Sequence, residues 1–330
     1  MPRLLKPLQA GSLPLHNRLI LPPMATAKTE DGSVNQAILD YYQEKSNGGY
    51  FSLLIIEHSF INSTGKAHPS QLSVADDTML EGLRRLAAII HNNGSKAVMQ
   101  ISHAGSGTKE EVIGETPVAP SAIPHPLNNI MPRELTTKEI TEIIQDFRAA
   151  ARRTKAAGFD GVEIHSAHGY LLNQFFSPLT NKRTDEYGGS INNRIRVHLE
   201  IIKTIRAAVG TEFPLLLRLG ASDFKDGGIT IEDSQTAAKE FERAGVDILD
   251  ITGSFSGFNA PPGSSGQGYF SPLTQAIKEV VSIPVILTGG ITEAQAAEQL
   301  LTEGKADLIG VGRAVLKDSD WAKKAIEALR

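Results

Sequence analysis

Short apolar runs recur along the chain, and most are followed by a longer segment in which apolar residues return every three or four positions. The runs are typical of β-strands, and the longer segments are typical of amphipathic helices. The strands are predicted at residues 18–24, 52–57, 96–102, 161–165, 214–219, 247–252, 284–290 and 306–312. The helices are predicted near residues 37–47, 78–93, 137–157, 192–209, 232–244, 272–281, 292–303 and 319–329.

The predicted strands are apolar on both faces, which favours a parallel sheet covered by helices. Eight strand–helix units that close on themselves make a (β/α)8 TIM barrel, and this is the fold class that we predict. An open doubly wound sheet is the alternative, but no G-x-G-x-x-G motif follows the first strand. The segment LLKPLQAGSLPLHNR predicts a short N-terminal hairpin that closes the lower mouth of the barrel. Residues 1–330 are predicted to form a single domain.

The composition is that of a soluble globular protein, with 41% hydrophobic residues, 21% charged residues and a formal net charge of -4. Its scattered basic residues predict no binding to nucleic acid. We expect a cytoplasmic protein without membrane attachment, because the sequence shows neither a signal peptide nor an apolar stretch of about 18 residues. The absence of cysteine excludes disulfides, thiolate nucleophiles and cysteine-held clusters, so redox chemistry would have to be borrowed from a cofactor.

Active sites of such barrels lie at the carboxyl ends of the strands, where this chain places a set of polar residues and glycines. This set consists of Pro23, Met24, Ala25, Glu57, His58, Gln100, His103, His165, His168, Arg218, Gly289, Gly290, Gly312 and Arg313. The glycines that end the seventh and eighth strands predict a phosphate site, because backbone N–H groups, a helix N-terminus and the forked cation of Arg313 would converge there. A tight turn beside a surface cation is the alternative interpretation.

Arg218 and Gln100 each have two interpretations. Arg218 stands inside the apolar run LLLRL, where a guanidinium is costly without a partner. It is either half of a structural ion pair or a fixed positive charge beneath a group that becomes anionic during turnover. Gln100 offers an amide donor and acceptor either to the edge of a heteroaromatic ring or to the core.

Several longer segments match a known family nearly from end to end: HNRLILPPM, VMQISHAG, FDGVEIHSAHGYLLNQFFSPLTNKRTDEYGGSINNR, LLLRLGASD, and VILTGGI with ADLIGVGRAVL. With these segments the chain resembles the Old Yellow Enzyme family of FMN-dependent ene-reductases, particularly its short bacterial branch. The long central segment is the most specific of them. The resemblance implies FMN across the barrel mouth, NADPH or NADH as the reductant and an α,β-unsaturated carbonyl compound as the substrate.

The resemblance also implies roles for individual residues. The implied cofactor-binding residues are Pro23, Met24, Ala25, His58, Gln100, His165, Arg218, Gly289, Gly290, Gly312 and Arg313. Among them, Gln100 would pair with the pyrimidine edge of the flavin, and Arg218 would lie beside the ring nitrogen that gains negative charge on reduction. The segment from Pro23 to Ala25 would run against the ring, and the glycines with Arg313 would hold the phosphate.

His165, His168 and Tyr170 are the predicted catalytic and substrate-binding residues. The two imidazoles, three residues apart where a strand becomes a loop, can both donate an N–H to a substrate carbonyl oxygen, where hydride addition builds negative charge. Tyr170 resembles the proton donor of the family, and an ordinary phenol pKa of about 10 keeps it protonated at neutral pH.

Other interpretations of these three residues remain open. The histidines could bind a metal, but the motif has no third ligand, and Glu163 is expected on the other side of the strand. They could instead satisfy buried carbonyl groups. Tyr170 could be an ordinary core aromatic residue with a hydrogen-bonded hydroxyl.

The chain departs from the family pattern in several places. Ala25 stands where relatives have a Cys or Thr that touches the flavin, and His58 stands where a small residue is usual. His58 could either enter the pocket or point away from it. The sequence ends at Arg330 without the extension through which some relatives complete a partner's site, although homodimers and homotetramers are both compatible with it.

Two other classes of function remain as alternatives. A flavin-free phosphate-binding barrel lyase or isomerase would need a Schiff-base lysine or a metal cluster, and neither occurs among the strand-end residues. A flavin-binding protein without turnover is the second alternative. Larger family members carry an iron–sulfur cluster and extra domains, for which this chain has neither the cysteines nor the length.

Overall fold

The strands of the protein form a closed parallel barrel with two small accessory sheets. A computed structural model describes residues 1–257, 259–261 and 263–330. The strands are β1 Leu8–Ala10, β2 Leu13–Leu15, β3 Leu19–Leu21, β4 Leu53–Phe60, β5 Lys96–Ser102, β6 Val118–Ala119, β7 Arg133–Glu134, β8 Gly161–Ser166, β9 Leu215–Gly220, β10 Ile248–Thr252, β11 Val285–Thr288 and β12 Leu308–Gly310. Among these described strands, β3, β4, β5, β8, β9, β10, β11 and β12 close in that order, which confirms the predicted (β/α)8 barrel.

Helices follow the barrel strands and cover their outer faces. The helices are α1 Gln36–Ser46, α2 Leu80–Asn92, α3 Glu110–Ile113, α4 Thr137–Ala156, α5 Leu171–Phe176, α6 Ile191–Arg194, α7 Arg196–Val209, α8 Ile231–Ala244, α9 Ser271–Lys278, α10 Ala294–Thr302, α11 Arg313–Lys317 and α12 Trp321–Ala328. A capping box between Thr136 and Glu139 starts α4, and Gly245 in a left-handed conformation ends α8. None of the described helices has the length and apolar character needed to cross a bilayer.

The lower half of the barrel interior is a closed apolar core. The inward side chains that form it are Ile20, Leu53, Ile55, Val98, Leu216, Ile248, Ile286 and Leu308. The hairpin β1–β2 turns at Gly11, whose φ of 57° suits glycine, and it packs Ala10, Leu13 and Leu15 against this core. The predicted N-terminal hairpin therefore closes the lower end of the barrel, and polar chemistry is confined to the upper end.

Candidate active site

Above the apolar floor, the inward positions of four neighbouring strands become polar. Strands β5, β8, β9 and β10 contribute Gln100, Glu163, Arg218 and Asp250. Gln100 is the register partner of Glu163, and Arg218 is the register partner of both Asp250 and His165, two residues beyond Glu163 on β8. Each of the four polar residues is at most 4% exposed. The strands thus place two carboxyl groups, one guanidinium and one amide close together in the buried upper barrel.

Glu163 lies inside the barrel, on the same face of β8 as His165. The expectation that it would lie on the other side was wrong, because residues two positions apart in a strand share a face. Its Oε2 accepts a hydrogen bond of 2.7 Å from Nε2 of Gln100. Gln100 therefore makes a core hydrogen bond, as in the second interpretation, and this bond fixes the orientation of its amide in the upper barrel.

Arg218 has a buried carboxylate partner. Its Nε lies 3.3 Å from Oδ2 of Asp250, within ion-pair distance, but that nitrogen and both Asp250 oxygens lack an aligned hydrogen bond among the described residues. Burial and the charge of Asp250 raise the pKa of Glu163, against the opposing effect of Arg218. Burial also raises the pKa of Asp250, but less far, because no neighbouring carboxylate adds to the effect and Arg218 opposes it. The proton at neutral pH therefore belongs to Glu163, and Asp250 forms the ion pair.

His165, His168 and Tyr170 meet at the carboxyl end of β8. The ring centroid of His165 lies 5.2 Å from that of His168 and 5.0 Å from that of Tyr170. The left-handed backbone of His168, with a φ of 59°, turns the chain between the strand and α5. Nε2 of His168 lies 3.2 Å from Oγ1 of Thr252, whereas Nδ1 of His165 has no hydrogen-bond partner among the described residues. The three residues predicted from the sequence are thus brought together.

Burial sets the protonation of this group. It lowers the pKa of His165 and of His168 well below the ordinary histidine value, and neighbouring imidazoles and Arg218 add to the effect. Both rings are therefore neutral at neutral pH, each with one N–H donor and one acceptor nitrogen. Burial raises the pKa of Tyr170 to about 12, so the phenol keeps its proton. Among the described residues, no group of three or more His, Cys, Asp or Glu side chains is placed to hold a metal ion.

His58 points into the mouth of the barrel. The register of β4 against β5 shifts between Ile56 and Ser59, and this irregularity lies next to His58. Nε2 of His58 lies 3.1 Å from the hydroxyl of Tyr170, and His58 is only 9% exposed. Of the two orientations considered from the sequence, the structure therefore has the inward one.

The end of the first barrel strand lies against the loop after the last. Pro23 and Met24, which follow β3, are half-buried, and Ala25 is exposed. A Cβ on Gly312 would come within 2.6 Å of the Met24 sulfur, so the two segments approach each other closely there. These residues form one side of the mouth.

The backbone of Gly289 and Gly290 forms a close-packed cradle, in which an added Cβ at either position would clash with the ring of Tyr269. Gly290 has a φ of 68°, and a Cβ there would lie 2.7 Å from the ring of Tyr269. The hydroxyl of Tyr269 accepts a hydrogen bond of 2.7 Å from Nη2 of Arg313, which is exposed. Helix α11, which starts at Arg313, has only five residues, so the helix N-terminus expected from the sequence adds little at this position. Backbone N–H groups and Arg313 remain as the candidate anion-binding features.

The chain belongs to the NADH:flavin oxidoreductase / NADH oxidase family, whose model matches residues 3–330. A NADH oxidase from Thermoanaerobacter brockii is 44% identical over 332 residues, which cover 99% of this chain and 51% of the relative. A NADPH dehydrogenase from Geobacillus sp. (strain WCH70) is 37% identical, with 99% of this chain and 94% of the relative covered. The chain thus spans about half the length of the first relative and nearly all of the second.

The fold comparison agrees with the family assignment. The structure of an old yellow enzyme homologue from Zymomonas mobilis superposes with a TM-score of 0.87 at 27% identity. The superposition covers 100% of this chain and 94% of that protein. The resemblance to the Old Yellow Enzyme family is therefore confirmed.

The residues at the mouth fit a flat heteroaromatic ring with a phosphate tail. Gly289, Gly290 and Gly312 leave no room for side chains where the tail is expected. Buried polar atoms without an aligned partner among the described residues include Nδ1 of His165 and Nε of Arg218, which face the upper barrel. Unpaired buried polar groups are costly, so a ligand that satisfies them would stabilise the site. This donor set suits FMN.

Replacement of Gly290 tests the cradle. We expect Gly290→Ala to reduce the free energy of unfolding by about 2–4 kcal/mol and to weaken FMN binding at least about tenfold, because it combines a strained φ with a clash against Tyr269. Denaturant titration and fluorescence titration with FMN measure the two effects. Gly304→Ala is the matched control, since Gly304 has a φ of 74° but nothing within 4 Å of the added Cβ. Equal effects of the two variants would contradict the cradle.

Asp250, Thr252 and His68 are site residues that the sequence analysis did not single out. Asp250 and Thr252 follow Ile248 at alternate positions of β10, and this alternation places them on the inward face. A carboxylate at an inward position was therefore detectable from the strand pattern. His68 lies in a loop, with its ring centroid 5.7 Å from that of His58, and no periodicity indicates that contact.

Proposed function

We propose that this chain is an FMN-dependent oxidoreductase that takes hydride from NADPH or NADH and reduces the activated C=C bond of α,β-unsaturated carbonyl compounds. The two reactants would occupy the mouth in turn, in a ping-pong cycle. The observation that supports this proposal best is the convergence of two neutral imidazoles and a protonated phenol at the end of β8. The family membership supports the flavin and nicotinamide part of it.

The proposed cofactor site uses the strand ends around the mouth. The residues that would hold FMN are Pro23, Met24, Ala25, His58, Gln100, His165, Arg218, Gly289, Gly290, Gly312 and Arg313. When bound there, FMN would supply the hydride acceptor and donor that no side chain of the chain provides. Arg218 would place positive charge beneath the ring, and its partner Asp250 would moderate that charge.

His165 and His168 bind the substrate carbonyl oxygen in this proposal. As neutral rings they donate N–H hydrogen bonds without a full positive charge, and these bonds strengthen as the oxygen becomes negative in the transition state. The bond to Thr252 holds the ring of His168 in place. Tyr170 then delivers its phenolic proton to the α-carbon of the substrate.

Anaerobic stopped-flow spectroscopy tests the proposed function. The protein reconstituted with FMN is mixed first with NADH or NADPH and then with cyclohexenone, and the flavin absorbance is followed. Bleaching by a nicotinamide and recovery on addition of the enone are expected. A colourless protein that ignores added FMN would favour the lyase or isomerase alternative. A yellow protein that no nicotinamide bleaches would favour a binding protein without turnover.

Four further statements about the whole protein stay predictions. Residues 1–330 form a single FMN-binding domain, and the ligands are small molecules rather than nucleic acid. The protein is predicted to be cytoplasmic and to assemble as a homodimer or homotetramer.

Removal of the phenolic hydroxyl tests the proton donor. Tyr170→Phe is expected to slow flavin recovery with cyclohexenone by about 100-fold, because the α-carbon loses its general acid. Recovery with a nitroalkene should slow much less, since the anion it forms survives in water until solvent protonates it. Tyr41→Phe is the control, because it removes another buried phenolic hydroxyl, which lies on α1 and has no hydrogen-bond partner among the described residues. An unaltered rate with cyclohexenone would remove Tyr170 from the role.

A further inference from the structure

His58 and Tyr170 form a contact that the proposed chemistry does not by itself require. They come from different elements, the end of β4 and the residue before α5, and Nε2 of His58 lies 3.1 Å from the phenolic oxygen. Their ring centroids are 5.5 Å apart, and the planes are inclined by 35°. Nε2 of Gln71 donates to the backbone carbonyl of His58 at 3.0 Å and so anchors this end of the strand. The strand end that carries His58 is therefore anchored beside Tyr170.

We propose that His58 is a positioning residue for Tyr170, which it serves by donating the Nε2 hydrogen to the phenolic oxygen. This donation leaves the phenolic O–H free to point at the substrate rather than at His58. It also stabilises the phenolate that remains after the proton has been delivered. The inference rests on the proposed function, since it assigns a partner to the proton donor of that reaction.

The surroundings of His58 favour a neutral ring. Burial is the first cause that lowers its pKa, and His68 and Arg218 add to it. The other groups that face it are His165, with a ring centroid 6.3 Å away, and Tyr170 itself. His168 also interacts with it electrostatically. No carboxylate is among these facing groups of the described residues, so nothing offsets a positive charge, and a neutral imidazole has a single N–H to donate.

The proton balance of the proposed reaction favours this direction of the hydrogen bond. In the proton transfer, the O–H bond of Tyr170 breaks as the C–H bond at the substrate α-carbon forms, and the bonding pair stays on the phenolic oxygen. If the phenol donated to His58, its proton would point away from the carbon that receives it. With His58 as the donor, the hydrogen bond persists and becomes charge-assisted when the oxygen is negative. Solvent water returns a proton to the oxygen after the product leaves.

Nitrogen NMR of the protein without cofactor tests the contact itself. In protein labelled with 15N-histidine, His58 is assigned by comparison with His58→Gln, and we expect a neutral ring that carries hydrogen on Nε2. Tyr170→Phe should shift that nitrogen resonance, and Tyr41→Phe should leave it in place. A ring protonated on Nδ1 alone, or a resonance that Tyr170→Phe does not move, would overturn the proposal.

A double-mutant cycle tests the effect on the reaction. His58→Ala is expected to slow flavin recovery with cyclohexenone by about 10- to 100-fold, and His58→Gln, which keeps an N–H donor, should lose less. In a Tyr170→Phe background, His58→Ala should cause little further loss, because the two residues act as a unit. An equal loss in both backgrounds would mean that His58 acts independently of Tyr170, and the proposal would fall. His91→Gln is the control variant, because His91 lies at the opposite end of the barrel and its replacement should leave flavin recovery unchanged.

The two tests separate the inference from the proposed function. A protein that no nicotinamide bleaches overturns the proposed function. The nitrogen spectrum, which needs neither cofactor nor substrate, still decides whether His58 donates to Tyr170. If the protein reduces cyclohexenone normally but the spectrum shows no hydrogen bond between His58 and Tyr170, only the inference is overturned.

Discussion

Replacement of His165 by alanine is expected to slow flavin recovery with cyclohexenone by about 100- to 1000-fold, the usual cost of losing one preorganised donor to a developing oxyanion. Reduction by nicotinamide develops no such charge on a carbonyl oxygen, so it should suffer much less. Nδ1 of His165 has no partner among the described residues, so one ring nitrogen is not already committed within the protein. Single-turnover stopped-flow measurement of the two half-reactions separates the effects.

A matched control variant distinguishes the proposed role of His165 from general damage to the fold. His198 is equally buried, on α7 outside the barrel wall, where it contacts Oγ of Ser166 at 2.8 Å. His198→Ala removes a similar volume without touching the mouth, so its effects on the two half-reactions should be alike. Equal losses in both half-reactions for His165→Ala would contradict the assigned role and indicate damage to folding or cofactor binding.

The pH dependence gives a second check on the histidines. Burial lowers the pKa of both rings, so neither should titrate between about pH 6 and 9. Recovery with cyclohexenone should therefore show no loss as pH rises through the ordinary histidine pKa. A rate that fell in that window would mean that the imidazolium form is active, contrary to the neutral donors inferred above.

Replacement of Arg218 by methionine is expected to lower the free energy of unfolding by about 3–5 kcal/mol, because it leaves the charge of Asp250 buried without its partner. Asp250 is 0% exposed, so water cannot compensate. The double variant Arg218→Met with Asp250→Asn should recover most of the loss, since it removes the unpaired charge. Urea denaturation of the protein without cofactor compares both variants with the unsubstituted protein.

The pH dependence of Arg218→Met has a definite sign. Without the guanidinium, the pKa of Asp250 in the folded state rises further above its unfolded value. Between the unfolded and folded pKa values of Asp250, the folded state then binds more protons than the unfolded state, so the free energy of unfolding should fall as pH rises through this range.

Arg243→Met is the control, because it breaks an exposed ion pair with Glu240 and should lower the free energy of unfolding by only about 0–1 kcal/mol. A double variant no more stable than Arg218→Met would contradict the explanation.

The barrel was predictable because each strand and helix has its own apolar pattern. The ends of the strands were harder to predict, for reasons that lie in the local sequence. The predicted strand 18–24 stops at Leu21, since Pro22 and Pro23 have no backbone N–H to donate to a neighbouring strand. The predicted strand 284–290 stops at Thr288, where two glycines leave the extended conformation. In both places the chain leaves the sheet to build the mouth.

Part of the site could be predicted because its residues are close in the sequence, and part could not because barrel closure brings its residues together. His165, His168 and Tyr170 lie within six residues, so one strand end suffices to bring them together. The pairing of Arg218 with Asp250 depends on the register between two strands, which the sequence does not state. The inward turn of His58 depends on the irregularity after Ile56, and an alternating pattern cannot reveal that.

The hairpin below the barrel has a consequence for Glu163 and Asp250 above it. Because β1 and β2 fill the lower end with apolar side chains, the described barrel is a well with one opening rather than a tunnel. Solvent therefore reaches the two buried carboxyl groups from the open upper end. A flat molecule lying across the rim, as proposed for FMN, would separate these groups from bulk water, so they would exchange protons with solvent mainly when that molecule is absent.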